Sequence, residues 1–293
     1  MDTHIRFWGT RGSIPTPGSW TRIYGGNTSC VEVRFGATLF ICDAGSGIRE
    51  LGKDIIARDP RPTELHLFIS HTHWDHIQGF PFFMPAYSKD MRIRVYGNSK
   101  DDDSRYRLLS GQMSSDHFPV SFGELGAEID FDYFEGGEKI IDGVLVRTFA
   151  LNHPGGCFGY SFEKHGTKIV YATDTELEPR PGEKFPPDGS DEALRYVSEP
   201  MVHAVRGADL LIMDAQYDDA QYATRRGWGH SSCLSAVDLA AKAGVKKLAL
   251  FHHDPESSDL HIDSLVNQSA ARAARRDPNL IVFGAREGLE LTL

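Results

Sequence analysis

The stretch that decides the fold is Leu65-His66-Leu67-Phe68-Ile69-Ser70-His71-Thr72-His73-Trp74-Asp75-His76-Ile77-Gln78-Gly79. It places three histidines and one aspartate within six positions, directly after an apolar run that predicts a buried strand. Imidazole nitrogens and carboxylate oxygens are ligands that zinc, manganese and iron accept. A single tetrahedral ion rarely takes four adjacent donors from one loop. The spacing therefore predicts two ions, one near His71 and His73 and the other near Asp75 and His76.

The alternative for this stretch is a histidine-rich turn that is merely solvated. Against it, ligand-type residues follow four further apolar runs along the chain. These are Val144–Leu151 before Asn152-His153, Lys168–Ala172 before Thr173-Asp174, Leu210–Met213 before Asp214, and Leu248–Phe251 before His252. Strand ends on one edge of an α/β sheet open into a shared crevice. We therefore expect these residues to converge, although they are far apart in sequence.

The composition bounds the class of protein. With 293 residues and 40% apolar content, the chain can bury a large core, and we predict one α/β domain over residues 1–293 rather than two modest ones. No apolar run of about 18 residues is present, and Met1-Asp2-Thr3-His4 lacks the pattern of a secretory signal. These features predict a soluble, cytoplasmic protein without membrane contact.

Charge and cysteine content restrict the partners further. The chain has 31 Lys and Arg against 41 Asp and Glu, a net charge of −10, which opposes tight nonspecific binding to nucleic acid. This acidity disfavours a large polyanion more than a small phosphodiester. The four cysteines lie far apart without CxxC spacing, so we expect buried thiols rather than disulfides or a zinc ribbon.

Apolar periodicity predicts short strands with helices between several of them. The strand candidates are His4–Trp8, Ser29–Phe35, Thr38–Cys42, Leu65–Ser70, Ile93–Tyr96, Val144–Leu151, Phe158–Glu163, Lys168–Ala172, Leu210–Asp214, Lys247–Phe251, Leu280–Phe283 and Leu289–Leu293. The helix candidates are Ile48–Arg58, Ser231–Ala243 and Ile262–Arg275. Asn98–Gly126 is polar and shows no period, and the proline-rich Glu176–Glu192 predicts a long surface loop beside a site.

Several motifs together resemble one known family. They are His71-Thr72-His73-Trp74-Asp75-His76, Gly9-Thr10-Arg11-Gly12-Ser13-Ile14-Pro15, Asp43-Ala44-Gly45-Ser46-Gly47 and Gly229-His230-Ser231-Ser232. The chain resembles the metallo-β-lactamase superfamily and, within it, the phosphodiesterase branch. That branch includes tRNA 3′-end endonucleases, the cyclic-phosphate phosphodiesterase of phosphonate breakdown and bacterial cyclic-nucleotide phosphodiesterases. The resemblance implies an αββα sandwich of two mixed β-sheets flanked by helices.

The resemblance also implies a ligand set for two divalent ions. It assigns His71, His73 and His153 to one ion, Asp75, His76 and His252 to the other, and Asp174 as the bridge. A bridging carboxylate is physically reasonable, because two dications about 3.5–4 Å apart repel each other. Zn²⁺ is the expected metal, with Mn²⁺ and Fe²⁺ left open by the same N/O donor set. Alternation along the preceding strand does not decide between His252 and its neighbour His253.

The catalytic roles follow from the same resemblance. It implies a metal-bridging hydroxide as nucleophile, which Asp75 orients or deprotonates. His230 is the candidate general acid for the leaving alkoxide. Asp214, where the tRNA endonucleases commonly have Glu, is the candidate that orients His230.

For several residues of the Gly-rich loops, two roles are open. Asp43 either fixes a ligand imidazole or nucleates the following turn, and both roles can coexist. Arg11, Ser13, Asn27 and Ser231 are candidate substrate contacts, with turn stabilisation as the alternative.

These points favour a metal-dependent phosphodiesterase acting on a small or cyclic nucleotide-type substrate. The net charge favours it, as does the lack of a segment resembling the Gly-rich, basic arm of the tRNA endonucleases. The alternatives are a tRNA 3′-end endonuclease, and a lactone or thioester hydrolase on the same scaffold. A homodimer is expected only because relatives often form one.

Overall fold

The computed structural model describes residues 2–97, 102–134, 136–177 and 193–293, with the side chains of residues 102–105 left out of the description. Its contacts divide the chain into two compact units. The first contains Met1–Gly18, Gly25–Gly137 and Arg286–Leu293, and the second contains Ser19–Tyr24 and Glu138–Ala285. Each unit is built around one seven-stranded sheet.

The sheet of the first unit is mixed and has the order β14-β1-β2-β3-β4-β5-β6. Its strands are β1 (Thr3–Gly9), β2 (Cys30–Phe35), β3 (Thr38–Cys42), β4 (Glu64–Phe68), β5 (Arg92–Gly97), β6 (Glu128–Tyr133) and β14 (Glu290–Thr292). Neighbouring strands are antiparallel from β14 through β1 and β2 to β3, and they are parallel from β3 through β4 and β5 to β6. The parallel pairing of β3 and β4 places the residues after both strands at one edge of the sheet.

Helices and turns of the first unit cover this sheet. They are α1 (Ile48–Ala57), α2 (Trp74–Ile77), α3 (Asp102–Ser110), and the 3₁₀ turns Phe80–Phe82, Met84–Tyr87, Gly111–Met113 and Phe122–Glu124. Helix α1 buries Ile48, Leu51 and Ile55, whose spacing gives one apolar face. These side chains join the cluster of buried residues that includes Leu67 and Ile93 from the sheet.

The sheet of the second unit has the order β13-β12-β11-β10-β9-β8-β7. Its strands are β7 (Gly137–Ile141), β8 (Val144–Leu151), β9 (Cys157–Lys164), β10 (Thr167–Ala172), β11 (Leu210–Asp214), β12 (Lys247–Phe251) and β13 (Ile281–Gly284). Strands β10 to β13 pair parallel, and β9 pairs antiparallel with both β8 and β10. Strands β8, β10, β11 and β12 therefore run in the same direction, and their carboxyl ends share one edge.

Among its described residues, the second unit has the helices α4 (Glu199–Val205), α5 (Asp219–Thr224), α6 (Cys233–Lys242) and α7 (Asp259–Arg276). Side-chain caps fix where three of them begin, because Asp218, Ser232 and Ser258 each accept a backbone N–H of the first turn. Helices α6 and α7 pack on β11 to β13 and on each other. Their apolar residues join the core cluster that contains Leu211 and Leu248.

The predicted fold class is confirmed, since the chain forms two mixed sheets flanked by helices. Every predicted strand and helix corresponds to an observed element within a few residues. The sequence analysis missed β6, β7, α2, α3, α4 and α5, which are short, polar or contain proline. Residues 178–192 of the predicted loop Glu176–Glu192 lie outside the described residues. The single domain over residues 1–293 stays a prediction.

The structure also describes the cysteines and the apolarity of the helices. The four cysteines are free and buried, which confirms the prediction of buried thiols. Within the described part of the chain, no helix combines the length and the apolarity that crossing a membrane requires.

Candidate metal centre

The histidine-rich stretch begins as a loop after β4 and continues into helix α2 of the first unit. His71 and His76 are buried, and their ring centroids lie 4.3 Å apart. The ring of His73 lies 4.5 Å from that of His71. Nε2 of His76 is 3.2 Å from Oδ2 of Asp75. The loop supplies His71 and His73, and helix α2 supplies Asp75 and His76, so the four donors predicted from the sequence lie close together.

Asp43 lies directly beneath this loop, because β3 and β4 are parallel neighbours. Its carboxylate accepts hydrogen bonds from the backbone N–H of Ser70 at 2.7 Å and from the hydroxyl of Ser70 at 2.8 Å. Oδ2 also lies 2.8 Å from Nδ1 of His76. A proton on Nδ1 leaves Nε2 of His76 as the nitrogen available to a metal ion. The same carboxylate thus contacts both a ligand candidate and the backbone of the turn.

In the second unit, four chemistry-bearing residues occupy one sheet edge. His153 follows β8, Asp174 follows β10, Asp214 ends β11 and His252 follows β12. All four are buried. They converge because their strands run in the same direction, as the strand-end pattern in the sequence predicted for this part of the chain.

Asp174 lies between two histidines of this unit. Its Oδ2 is 3.7 Å from Nε2 of His153, and its Oδ1 is 3.2 Å from Nε2 of His252. Each carboxylate oxygen therefore faces a different imidazole, an arrangement that suits a carboxylate shared by two ions. One ligand-type atom from each of Asp174, Asp214, His230 and His252 lies within 4.8 Å of the others, so this group can hold a metal ion.

The backbone at three of these positions has an uncommon conformation. Asp43, Asp174 and His252 have φ values of 62°, 39° and 60°, in the left-handed region that non-glycine residues rarely adopt. Each follows directly after the carboxyl end of a strand or lies two residues beyond it. Such strain persists where the surrounding structure holds it, and it concentrates at functional sites.

His153 is suited to bind a metal ion as a neutral imidazole. Its Nδ1 lies 2.9 Å from the carbonyl oxygen of Gly229 and donates to it, so Nε2 carries the free lone pair that faces Asp174. Burial lowers the pKa of His153 below its ordinary value, because desolvation disfavours the imidazolium, while the charge of Asp174 acts in the opposite direction. The donor set therefore fits divalent metal ions.

His230 and Asp214 form a close pair beside these residues. Nδ1 of His230 lies 2.7 Å from Oδ2 of Asp214. The ring of His230 stacks on that of His252, with centroids 5.0 Å apart and planes at 18°. Asp214 is fully buried and also accepts the backbone N–H groups of Thr175 and Gln216. These contacts fix the orientation of the carboxylate and, through it, the imidazole of His230.

Glu176 is a structural partner of this site that the sequence analysis did not single out. Its carboxylate accepts the backbone N–H of Gly227 at 2.9 Å, that of Gly229 at 3.1 Å and the hydroxyl of Tyr222 at 2.8 Å. It therefore holds the turn that carries His230 and that offers the Gly229 carbonyl to His153. Gly229 has φ 86°, and an added Cβ would meet Nδ1 of His153 at 2.3 Å. The only sequence signal was the proximity of Glu176 to Asp174.

The neighbouring histidines His252 and His253 have different surroundings. Nε2 of His252 faces Asp174, whereas Nε2 of His253 lies 2.8 Å from the carbonyl oxygen of Ala285. The ring of His253 meets that of Tyr24 edge to face at 5.3 Å. The structure therefore places His252 with the ligand candidates and packs His253 into the protein.

The four candidate substrate contacts occupy structural positions. Arg11 is fully buried and its Nε donates to the carbonyl of Gly25 at 2.8 Å. The backbone N–H of Ser13 donates to Oδ2 of Asp75 at 2.7 Å. These contacts are those expected of turn stabilisation.

Asn27 and Ser231 are held in the same way. The side-chain amide of Asn27 donates to Glu287 at 2.9 Å and accepts from the hydroxyl of Ser46 at 2.9 Å. Ser231 is buried, and its hydroxyl donates to the carbonyl of Thr175 and accepts the N–H of Leu177. A direct role in substrate binding stays a prediction for all four residues.

Comparison with known proteins decides the family. A family model described as a beta-lactamase superfamily domain matches residues 38–253, well over half of the chain. The chain belongs to the β-lactamase superfamily. All seven metal-ligand candidates lie within residues 38–253, the part of the chain that the family model matches. The resemblance predicted from the motifs is confirmed, and the protein is a hydrolase of this superfamily.

This member of the superfamily is similar to two ribonucleases along most of its length. It is 23% identical over 287 residues to ribonuclease Z of Haloarcula marismortui, covering 86% of each chain. It is 25% identical over 296 residues to ribonuclease Z of Thermoplasma acidophilum, covering 89% of this chain and 90% of the relative. Among solved structures, the metallo-β-lactamase fold protein YhfI from Bacillus subtilis matches all of both chains with a TM-score of 0.69 at 16% identity. The two ribonuclease Z relatives agree with the predicted phosphodiesterase branch, and YhfI agrees with the fold.

Proposed function

We propose that this protein is a metal-dependent phosphodiesterase in which His230 is the general acid. The observation that carries the proposal is the contact of 2.7 Å between His230 and Asp214, beside Asp174 and His252. Hydrolysis of an unactivated phosphodiester releases an alkoxide that must gain a proton, and a positioned imidazolium supplies it. Hydrolysis of a lactone or thioester has less need of such an acid.

The proposed metal ligands are the seven residues of the sequence motifs: His71, His73, Asp75, His76, His153, Asp174 and His252. In each unit, hydrogen bonds from residues of the same unit orient a proposed ligand. Asp43 fixes His76 in the first unit, and the carbonyl of Gly229 fixes His153 in the second. Bound divalent ions would polarise the phosphoryl oxygens and lower the pKa of coordinated water. Zn²⁺ is the proposed metal, with Mn²⁺ and Fe²⁺ tested alongside it.

The other steps belong to side chains of this chain. With Nδ1 of His230 bonded to Asp214, Nε2 is the atom that delivers the proton to the leaving oxygen. Asp214 holds the imidazole in this tautomer and stabilises its charged form. Asp75, whose Oδ2 accepts the N–H of Ser13, is the proposed residue that orients or deprotonates the attacking water.

For the substrate, the relatives favour RNA. Both curated relatives named above are ribonuclease Z enzymes, and nothing in the comparisons specifically supports the small or cyclic nucleotide substrate predicted from the sequence. We therefore propose cleavage of an RNA phosphodiester near a 3′ end as the first candidate. A small phosphodiester is the second candidate, because the net charge of −10 disfavours a large polyanion.

A substrate panel tests the proposal. The metal-loaded protein is given a precursor tRNA with a 3′ trailer, 2′,3′- and 3′,5′-cyclic nucleotides, bis-p-nitrophenyl phosphate, a lactone and a thioester. Cleavage of at least one phosphodiester, abolished by a chelator and restored by Zn²⁺ or Mn²⁺, is expected. Preferential cleavage of precursor tRNA would establish the first candidate, and preferential cleavage of a cyclic nucleotide the second. Hydrolysis of the lactone or thioester alone would overturn the proposal.

A further inference from the structure

Trp228 presents a large aromatic side chain to solvent two residues before His230. Its side chain is 60% exposed, although the residues that follow it, Gly229 and His230, are buried. Exposed tryptophan is uncommon on soluble proteins, and indole exposed beside a catalytic group is a typical binding feature. The exposed indole of Trp228 is therefore a candidate binding surface.

The turn that carries Trp228 is held rigidly on both sides. The carboxylate of Glu176 accepts the backbone N–H of Gly227 and that of Gly229, the two residues flanking the tryptophan. Gly227 and Gly229 have φ values of 81° and 86°, which glycine adopts without strain. The hydroxyl of Tyr222 donates to the same carboxylate. One buried acidic side chain thus fixes the backbone on which the exposed indole stands.

Two arginines lie beside this turn. The guanidinium of Arg225 lies 4.9 Å from the ring centroid of Tyr217 and 5.9 Å from that of Trp228. It is anchored by Asp254 at 3.1 Å. Arg226 is exposed, and its guanidinium lies 5.9 Å from the ring of Tyr222. Of the two, Arg225 contacts the indole and is paired with a carboxylate, whereas Arg226 is exposed on the same turn.

The aromatic groups continue from this turn to the general acid. The ring of Tyr217, which contacts Arg225, meets the ring of His230 edge to face at 6.0 Å. Trp228, Arg225, Tyr217 and His230 thus form a continuous series of ring and cation contacts. This series connects the exposed indole to the imidazole that we propose as the general acid.

We infer that the turn Arg225–His230 is a nucleobase-binding element in which the indole of Trp228 stacks on the base of the leaving nucleoside. This inference rests on the proposed phosphodiesterase function. Every base has a π-face, so stacking tolerates all four bases and needs no hydrogen-bond readout. The exposed guanidinium of Arg226 on the same turn favours a ligand that also carries phosphate. The element therefore selects nucleotide diesters over diesters without a base.

The test compares ligands that differ only in the base. Isothermal titration calorimetry measures binding of adenosine 5′-monophosphate and of ribose 5-phosphate to the metal-loaded wild-type protein and to Trp228→Ala, Trp228→Phe and Trp20→Ala. Trp20 is the matched control, because its indole is 56% exposed. Trp228→Ala should weaken binding of the nucleotide roughly 5- to 100-fold and leave that of ribose 5-phosphate unchanged. Trp228→Phe should keep most of the affinity, and Trp20→Ala all of it.

The outcomes separate this inference from the proposed function. Equal losses for both ligands in Trp228→Ala, or no loss for either, would overturn the inference. So would a wild-type protein that binds both ligands equally well or binds neither. Loss of a dimer in Trp228→Ala, measured by sedimentation, would assign the indole to an interface between copies and overturn it too. Selective loss of nucleotide affinity in a protein that cleaves no phosphodiester would instead support the element and reject the proposed reaction.

Discussion

Nδ1 of His230 lies 2.7 Å from Oδ2 of Asp214, and the imidazole stacks at 5.0 Å on His252, which itself faces Asp174. The pair is thus built into the same sheet edge as the ligand candidates of the second unit. Because Asp214 is the last residue of β11 and is fully buried, its position depends on the sheet and not on a flexible loop. A histidine oriented in this way can deliver a proton only from Nε2.

Removal of His230 should act on the leaving group. His230→Ala should lower kcat about 100- to 10,000-fold on diesters with poor leaving groups, because the alkoxide then departs without a proton. On bis-p-nitrophenyl phosphate, whose leaving group needs no protonation, the loss should be much smaller. Steady-state kinetics with a series of leaving groups measures the difference, and metal analysis should find wild-type metal content.

A double-mutant comparison checks the role of Asp214. Asp214→Asn should reduce the same rates, and the double variant should be no slower than His230→Ala alone, because the two residues act as one unit. Equal losses on good and poor leaving groups would contradict the general-acid role. Fully additive losses would separate Asp214 from His230.

The adjacent histidines provide a matched pair for the metal site. His252→Ala should bind less metal than wild type, since Nε2 of His252 faces the carboxylate of Asp174. His253→Ala should keep its metal, because Nε2 of His253 is bonded to the carbonyl of Ala285. Mass spectrometry of the native proteins and elemental analysis give the ratio of metal to protein. Metal loss in His253→Ala with full occupancy in His252→Ala would reverse the assignment.

Asp43 should influence metal affinity without touching the metal. Its carboxylate lies 2.8 Å from Nδ1 of His76 and fixes the orientation of that ring. Asp43→Asn should weaken metal binding about 10- to 100-fold, as is usual for the partner of a ligand histidine. Competition with a fluorescent chelator measures the affinity. Unchanged affinity together with a lower midpoint of urea unfolding would limit Asp43 to stabilising the turn.

The sequence predicted the strand ends better than the connections between them. Strands β3, β11 and β12 were bounded to the residue, because these buried strands are nearly continuous apolar runs and a polar residue marks the end of each. Helix α5 was missed, because its six residues are too few to show an apolar period.

The candidate site was predicted where a motif or a strand end pointed to it. His71, Asp174 and Asp214 follow or end apolar runs, so their convergence could be expected. Glu176 could not be found in this way, because its partners, two backbone N–H groups and the hydroxyl of Tyr222, lie about fifty positions away and form no motif with it. The left-handed backbone at Asp174 and His252 was not predicted either, because Asp and His are enriched at positive φ but still adopt it at few positions.

The cysteines should be unreactive while the protein is folded. Burial raises the pKa of Cys233 to about 12, and it raises the pKa of Cys30 and Cys42 well above the usual value. A raised thiol pKa means that almost no thiolate exists at pH 8, and the thiolate is the reactive form. DTNB should therefore react slowly with the native protein and rapidly with all four cysteines in urea. Fast release of one equivalent from the native protein would show an accessible thiolate.

Glu176 should position His230 rather than only stabilise the fold. Glu176→Ala removes the acceptor shared by Gly227, Gly229 and Tyr222, and it should cost about 1–3 kcal/mol of unfolding free energy because buried donors lose their partner. If the turn also positions the acid, kcat should fall more on poor leaving groups than on p-nitrophenyl esters. Glu176→Gln, which keeps one carbonyl oxygen, should restore part of that selective loss. The matched control is Glu199→Ala, whose carboxylate is exposed and pairs with Lys242. A stability loss with an unchanged ratio of kcat between the two kinds of leaving group would reduce Glu176 to a structural role.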